Sequence, residues 1–196
     1  MISHILITPP LVEPVTLAEV KAHARITQDD DDALLEGLLR AARQWCEHYT
    51  RRAFIAQSWA LSLSASPSKR FVELPRAPAL GVSHVYLYDE EDAASLWDAA
   101  NYYVDVGSDS ARLVLREGAS WPTLTRDVGG MVIEYTAGYG ADGTNVPDGI
   151  KLAILQLATH WYEHRGEAIT GETIAKTPLT IEALLAPYRA LRLGVL

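Results

Sequence analysis

Asp32-Ala-Leu-Leu-Glu-Gly-Leu-Leu-Arg-Ala-Ala-Arg-Gln-Trp-Cys-Glu-His-Tyr-Thr50 is followed, a few residues on, by Gln57-Ser-Trp-Ala-Leu-Ser-Leu63. In the first segment Leu34, Leu35, Leu38, Leu39, Ala42, Trp45, Cys46 and Tyr49 recur at intervals of three and four, which places them on one face of a helix. In the second, Trp59, Leu61 and Leu63 alternate with small residues, the period of a strand. The chain therefore changes from helix to sheet near Gln57. The acidic run Asp29-Asp-Asp-Asp32 before the helix and Arg51-Arg52 after it both complement the helix macrodipole.

Working back from this helix, Pro14-Val-Thr-Leu-Ala-Glu-Val20 carries a capping box: Thr16 can accept from the Glu19 amide while Glu19 reaches back to Thr16. Val15 and Val20 are spaced as its hydrophobic staple, so a short helix is predicted from Leu17 to about Arg25. Working forward, Phe71–Leu74, Val82–Tyr88, Tyr102–Val106, Ala111–Leu115 and Met131–Thr136 read as further short strands. They are separated by turn clusters such as Ser66-Pro-Ser, Pro75-Arg-Ala-Pro78 and Asp127-Val-Gly-Gly130.

Helical spacing returns after Pro147, with Ile150, Ile154, Leu157 and Trp161 in one row and Leu155, Ala158 and Tyr162 beside it. Gly166 is placed as the stop. The apolar arc spans roughly 200°, twice the ~100° of a surface helix, so this helix must be covered on more than one side, by its own fold or by a neighbouring subunit. Thr180 opens a last short helix that Pro187 breaks. These elements predict an α+β fold: a small bundle of about four helices with a mostly antiparallel β subdomain inserted between the second and third long helices. The expected boundaries are 1–56 and 145–196 for the helical core and 57–144 for the insert.

With 196 residues, 48% hydrophobic and 21% charged, the chain has the composition of one folded globular protein. The N-terminus lacks the basic flank and cleavage site of a signal peptide and no apolar run is long enough to span a bilayer, so the expectation is a cytoplasmic protein with no membrane partner. A net charge of −8 opposes the counterion release that drives nucleic-acid binding. Lys176, Arg189 and Arg192 against Glu182 put residues 176–196 at +2, which leaves −10 on residues 1–175.

No constellation points to chemistry. Gly138-Tyr-Gly-Ala-Asp-Gly143 fits the dinucleotide-binding spacing, but the helix starts only after Asn145-Val-Pro-Asp-Gly149 and no parallel strand with a ribose-binding carboxylate follows. The glycines read as a hinge back to the helices. His160 and His164 have metal-pair spacing without a third ligand, and Glu163 sits at the wrong place for a zinc protease. Asp29–Asp32 lacks the spaced ligands and turn glycine of a calcium loop and reads as a solvated helix cap. No Gly-x-Ser-x-Gly elbow is present, and Cys46, on the apolar stripe, reads as a buried thiol. Trp59, Tyr86, Tyr88, Trp97, Tyr102, Tyr103 and Trp121 read first as core and second as a protein-contact patch. No catalytic, cofactor or metal residue is expected.

Several stretches taken together resemble the head-tail connector proteins of tailed bacteriophages, also called adaptor or head-completion proteins, with relatives in prophages and gene transfer agents. They are Pro14-Val-Thr-Leu-Ala-Glu-Val-Lys21, Asp30-Asp-Asp-Ala-Leu-Leu35, Ala41-Ala-Arg-Gln-Trp-Cys-Glu-His-Tyr-Thr-Arg-Arg-Ala53, Val72-Glu-Leu-Pro75, Val132-Ile-Glu-Tyr-Thr-Ala-Gly-Tyr-Gly140, Val146-Pro147, Ala158-Thr-His-Trp-Tyr-Glu-His-Arg165 and Leu185-Ala-Pro-Tyr-Arg189. The resemblance implies a structural subunit that assembles as a ring of about twelve copies on the portal vertex, joining a DNA-filled head to its tail. Its implied partners are the portal protein, the next head-completion or tail protein, further copies of itself and passing DNA held without specific binding. It also implies assembly in the bacterial host cytoplasm and residence at the head-tail junction. A stopper or tail-terminator component is the nearest alternative, and a metal-dependent hydrolase a more distant one. Because the end of the chain is basic and partly apolar, Leu184, Tyr188, Arg189, Leu191 and Arg192 are the expected protein-interaction residues, with Trp161 on the third long helix.

Overall fold

Thr16 caps the first helix of the chain, α1 (Leu17–Ala24), in the computed structural model: Thr16 Oγ1 accepts from the Glu19 amide at 3.2 Å and Glu19 Oε2 accepts from the Thr16 amide at 2.7 Å. Val15 and Val20 are buried beside it, as a staple requires. The structure describes residues 2–107, 111–165 and 179–190. It forms two compact units, Met1–Leu11 with Ala56–Tyr139 and Val12–Ile55 with Gly140–Arg189.

The second unit is helical. α2 (Asp32–Thr50) buries Leu35, Leu39, Ala42 and Cys46 on the stripe read from the sequence. α3 (Asp148–Glu163) packs against α1, α2 and the short α4 (Leu179–Leu185), so its wide apolar arc is covered by its own chain. Ile150, Ala153, Ile154, Leu157 and Ala158 are fully buried there. Each large aliphatic side chain removed from water contributes about 1.5–3 kcal/mol. α4 supplies Ile181 and Leu185 to the same core, at 1% and 0% exposure. The short helix that the sequence places before Pro187 is thus docked on the bundle.

One polar network lies within that unit. Arg43, 6% exposed, donates from Nε to Glu13 at 2.7 Å and from a terminal nitrogen to Glu47 at 2.7 Å, and Glu47 Oε1 accepts from the Phe54 amide at 2.8 Å. The guanidinium thus ties the chain before α1 to α2, while Glu47 holds the turn after it. A buried charge is tolerated only when paired in this way.

The first unit holds two antiparallel sheets. The larger has the order β1-β2-β8-β4-β5, formed by β1 (Ile2–Thr8), β2 (Gln57–Leu63), β8 (Met131–Ala137), β4 (Ala79–Tyr88) and β5 (Ala94–Leu96). The smaller is β3 (Phe71–Glu73), β7 (Arg112–Leu115) and β6 (Tyr102–Asp105) in the order β3-β7-β6. β8 is central and alternates as a sheet core should, with Met131, Ile133, Tyr135 and Ala137 buried and Val132, Glu134 and Thr136 half-buried. The Tyr135 hydroxyl, fully buried, meets His4 Nε2 at 2.8 Å and accepts from the Arg76 amide at 3.2 Å.

The α+β class and the β insert between α2 and α3 are as the sequence predicts. The expected boundary differs at the N-terminus. The sequence places residues 1–56 together in the helical core, but Ile2–Thr8 pairs with β2 and belongs to the large sheet, so the helical unit begins at Val12. The strand's partner lies more than fifty residues away, and no local period in Ile2-Ser-His-Ile-Leu-Ile-Thr8 announces it.

Replacing Arg43 by Ala removes the guanidinium that pairs with both Glu13 and the buried Glu47 carboxylate. Denaturant unfolding should show a loss on the order of 3–5 kcal/mol, and Arg43→Met combined with Glu47→Gln should recover part of it; a loss below about 1 kcal/mol would show that the network adds little.

Candidate protein-interaction surface

Of the expected contact residues, Tyr188 and Arg189 fall at the end of the helical unit where α2 finishes and α3 begins, and Trp161 lies toward the other end of α3. After α4 the chain makes a single 3-10 turn, Ala186–Tyr188, with Pro187 inside it. Tyr188 is half-buried, and its carbonyl accepts from Arg52 Nε at 2.5 Å. Its ring lies so close to Gly149 at the start of α3 that a Cβ there would sit 3.0 Å from the hydroxyl. Arg189 is exposed and places its guanidinium 5.5 Å above the Tyr49 ring, which in turn stacks on Trp45 at 5.3 Å. Trp45, Tyr49 and Arg189 thus form a continuous ladder on the surface, with rigid amphipathic rings of the kind protein contacts use.

Leu184 and Trp161 are each half-buried. The sequence singles out Tyr188, Arg189 and Trp161 but misses Trp45 and Tyr49, which it assigns to the core stripe; spacing alone cannot separate the edge of a stripe from its centre. Leu191 and Arg192 lie outside the described residues.

A charged clasp closes the opposite end of α2. Asp31, at its N-cap, makes no capping bond; its carboxylate instead accepts from the Tyr162 hydroxyl at 2.5 Å and from Arg165 at 3.0 Å. Asp29 and Asp32 both accept from Lys21 Nζ, at 2.5 and 2.6 Å. The hydrogen bond from Tyr162, then that from Arg165, holds the Asp31 carboxyl below its ordinary value, and Lys21 does the same for Asp29. The Lys21 ammonium is raised by Asp29 and then Asp32. The acidic run therefore links α2 to α1 and α3, which a solvated cap alone does not explain.

The motifs weighed for chemistry have structural occupations. The Gly138 amide donates to the Pro78 carbonyl at 2.9 Å, and this glycine adopts φ +146°. A Cβ on Gly140 would overlap the Asn145 side chain, and one on Gly143 the Pro14 carbonyl, so both glycines serve close backbone approach. Asp142 caps the following 3-10 turn at Thr144, which lowers its carboxyl. His164 Nδ1 contacts the His160 carbonyl at 2.8 Å, and the two rings lie 4.3 Å apart. No group of three or more His, Cys, Asp or Glu side chains among the described residues is placed to hold a metal ion. Cys46 is fully buried, and burial followed by the neighbouring Glu47 pushes its thiol up to about 12, far from a nucleophile's range. No helix among the described residues is long and apolar enough to cross a membrane.

The aromatic residues of the β unit differ from their first reading as core. Only Tyr102 is buried; the others are half-buried or, like Tyr103, exposed. Trp97 packs between Tyr102 and Trp121 at 5.3 and 5.4 Å, and Arg116 covers Tyr103 at 3.8 Å. Tyr102 and Tyr103 belong to β6 of the small sheet, whereas Trp59 lies on β2 and Tyr86 and Tyr88 on β4 of the large one.

A family model described as head completion protein matches residues 13–191, and the chain belongs to that family. Among solved structures it is similar to a chain in the neck of an empty GTA particle computed with C6 symmetry, with a TM-score of 0.81 and 26% identity over 100% of this chain and 98% of the other. It is likewise similar to a chain in the virion of a native gene transfer agent (GTA) particle, with a TM-score of 0.80 and 27% identity over 98% of each. A third relative, in the neck of a native GTA particle computed with C12 symmetry, has a TM-score of 0.79 and 28% identity over 100% of this chain and 98% of that one. No curated protein matches the chain.

The clasp gives stability a defined pH dependence. Depressed carboxyls stabilise the fold above their ordinary value of 3.8 and lose that contribution as the pH falls through their lower folded values. The raised ammonium stabilises it below 10.5 and loses that contribution as the pH rises through its higher folded value. Thermal melts should therefore show a Tm difference between wild type and Asp31→Ala at pH 6 that shrinks toward pH 2.5; a difference independent of pH would show the clasp to be idle.

Proposed function

We propose that the chain is a structural head-tail connector: a ring of about twelve copies seated on the portal vertex, through which DNA passes between head and tail. The observation that carries this is the match along the whole length, both units included, to chains in the necks of gene transfer agent particles. A likeness to the helical unit alone would leave the β insert unexplained. The C6 and C12 symmetries of those necks support a closed arrangement of copies, which needs a head-to-tail contact between two different surfaces of the chain.

In this reading the portal protein and the next head-completion or tail protein are the other partners, with Leu184, Tyr188, Arg189, Leu191, Arg192 and Trp161 as contact residues. The Trp45–Tyr49–Arg189 ladder extends that set. The chain is made in the bacterial host cytoplasm and ends in the particle. Its work is binding and not turnover, which suits Gly140 and Gly143 at close backbone approaches, His164 on the His160 carbonyl and Cys46 in the core. The net charge of −8 suits a passage that DNA crosses without being held, because like charge removes the counterion-release attraction.

Two measurements test this. Purified chain mixed with the assembled portal of its own particle should co-sediment with it, and Arg189→Glu combined with Tyr188→Ala should reduce the bound fraction at least several-fold while the circular-dichroism spectrum stays unchanged. Wild-type chain that fails to bind the portal contradicts the proposal. Duplex DNA should not be retained at ~0.15 M salt; salt-sensitive retention there would contradict the open-passage role.

A further inference from the structure

The N-terminal strand β1 is an edge that no charged side chain protects; its pairing with β2 is regular from Ile2 to Leu6 and shifts register only between Leu6 and Thr8. β2 pairs with one side of it, and no strand among the described residues pairs with the other. Ile2, Ile5, Leu6 and Ile7 are 72%, 59%, 43% and 46% exposed. Sheets in free monomers blunt such edges with charged side chains, above all lysine. Residues 2–12 contain no Asp, Glu, Lys or Arg, although the chain has 17 basic and 25 acidic residues.

The far edge of the same sheet has the same character. β5 pairs only with Tyr86–Tyr88 of β4, and the Val85 carbonyl is taken by the Trp97 amide. On that side Ala79–His84 has no strand partner among the described residues. Leu80 is 50% exposed, Ser83 and His84 are exposed, and residues 77–88 again carry no Asp, Glu, Lys or Arg.

Strand direction joins the two edges. β1 is antiparallel to β2, β2 to β8 and β8 to β4, so β4 runs opposite to β1. Copies related by a ring axis face the same way round, so β1 of one copy meets β4 of the next antiparallel, the more stable pairing. The seven residues of β1 are matched by the six of the open β4 edge. Neither edge brings a charge that pairing would desolvate or set against a like charge.

We infer that β1 of each copy adds as a strand to the Ala79–His84 edge of the neighbouring copy, so that the five-stranded sheets run on from subunit to subunit. The occupant of each edge is a second copy of this chain, and the inference rests on the ring proposed above. Backbone hydrogen bonds supply the contact and the exposed isoleucines its apolar cover.

The test uses assembled particles carrying Ile5→Cys together with Leu80→Cys, Ser83→Cys or His84→Cys; the native Cys46 is buried and does not compete. Mild oxidation should give a ladder of covalent multimers on non-reducing gels with at least one pair, at least tenfold above either single variant. Ile5→Lys with Ile7→Lys should lower incorporation at least tenfold while the Tm of the free chain is unchanged. Particles that contain the chain yet give no ladder with any pair, and that incorporate the double-lysine variant at the wild-type level, overturn the inference and leave the connector role standing. Absence of the wild-type chain from particles overturns both.

Discussion

Helix α3 sets the terms for the helical unit. Sixteen residues with apolar side chains around more than half the circumference cannot remain in water, so α1, α2 and α4 must surround it. Each does so with its own contribution. α1 brings Val20, and a hydrogen bond of 3.0 Å between His23 and Thr159; α2 brings Leu35, Leu39 and Cys46; α4 brings Ile181 and Leu185. The charged clasp at Asp31 then fixes the far end of α3 through Tyr162 and Arg165. Because the arc is filled from within the chain, its breadth is not a sign of a subunit interface. The contacts proposed with other proteins lie instead on half-buried flanks such as Trp161 and the Trp45–Tyr49–Arg189 ladder.

The same logic reverses for the β unit. The core of the large sheet is closely packed, with the Tyr135 hydroxyl hydrogen-bonded, but its edges have no strand partner among the described residues. A helix bundle hides its backbone polar groups within each helix, whereas a sheet leaves a row of them at either side. An assembling protein that carries both kinds of element therefore has two ways to hold neighbours: side-chain patches on the bundle and backbone edges on the sheet.

Much of this was legible in the sequence because local physics sets it. The Thr16–Glu19 box, the α2 stripe and the alternation along β8 depend on neighbours a few residues away. Ile2–Thr8 was illegible as a strand because Ile5, Leu6 and Ile7 are apolar in a row and show no alternation, so only the pairing with β2 reveals it. The aspartates at 29–32 read as a cap because composition shows charge but not that Lys21, Tyr162 and Arg165 converge on them. Trp45 and Tyr49 read as core because a helical stripe has edges that only packing reveals. Gly140 and Gly143 matched a nucleotide-binding spacing for an unrelated reason, the approach of Asn145 and Pro14.

The most direct test of the connector assignment is a symmetry-averaged reconstruction of the neck of the particle this chain belongs to. The account requires a closed ring of this chain between portal and tail, its density matching both the helical bundle and the five-stranded sheet. A neck resolved at side-chain level in which that layer is built by another protein, with this chain absent, would contradict it.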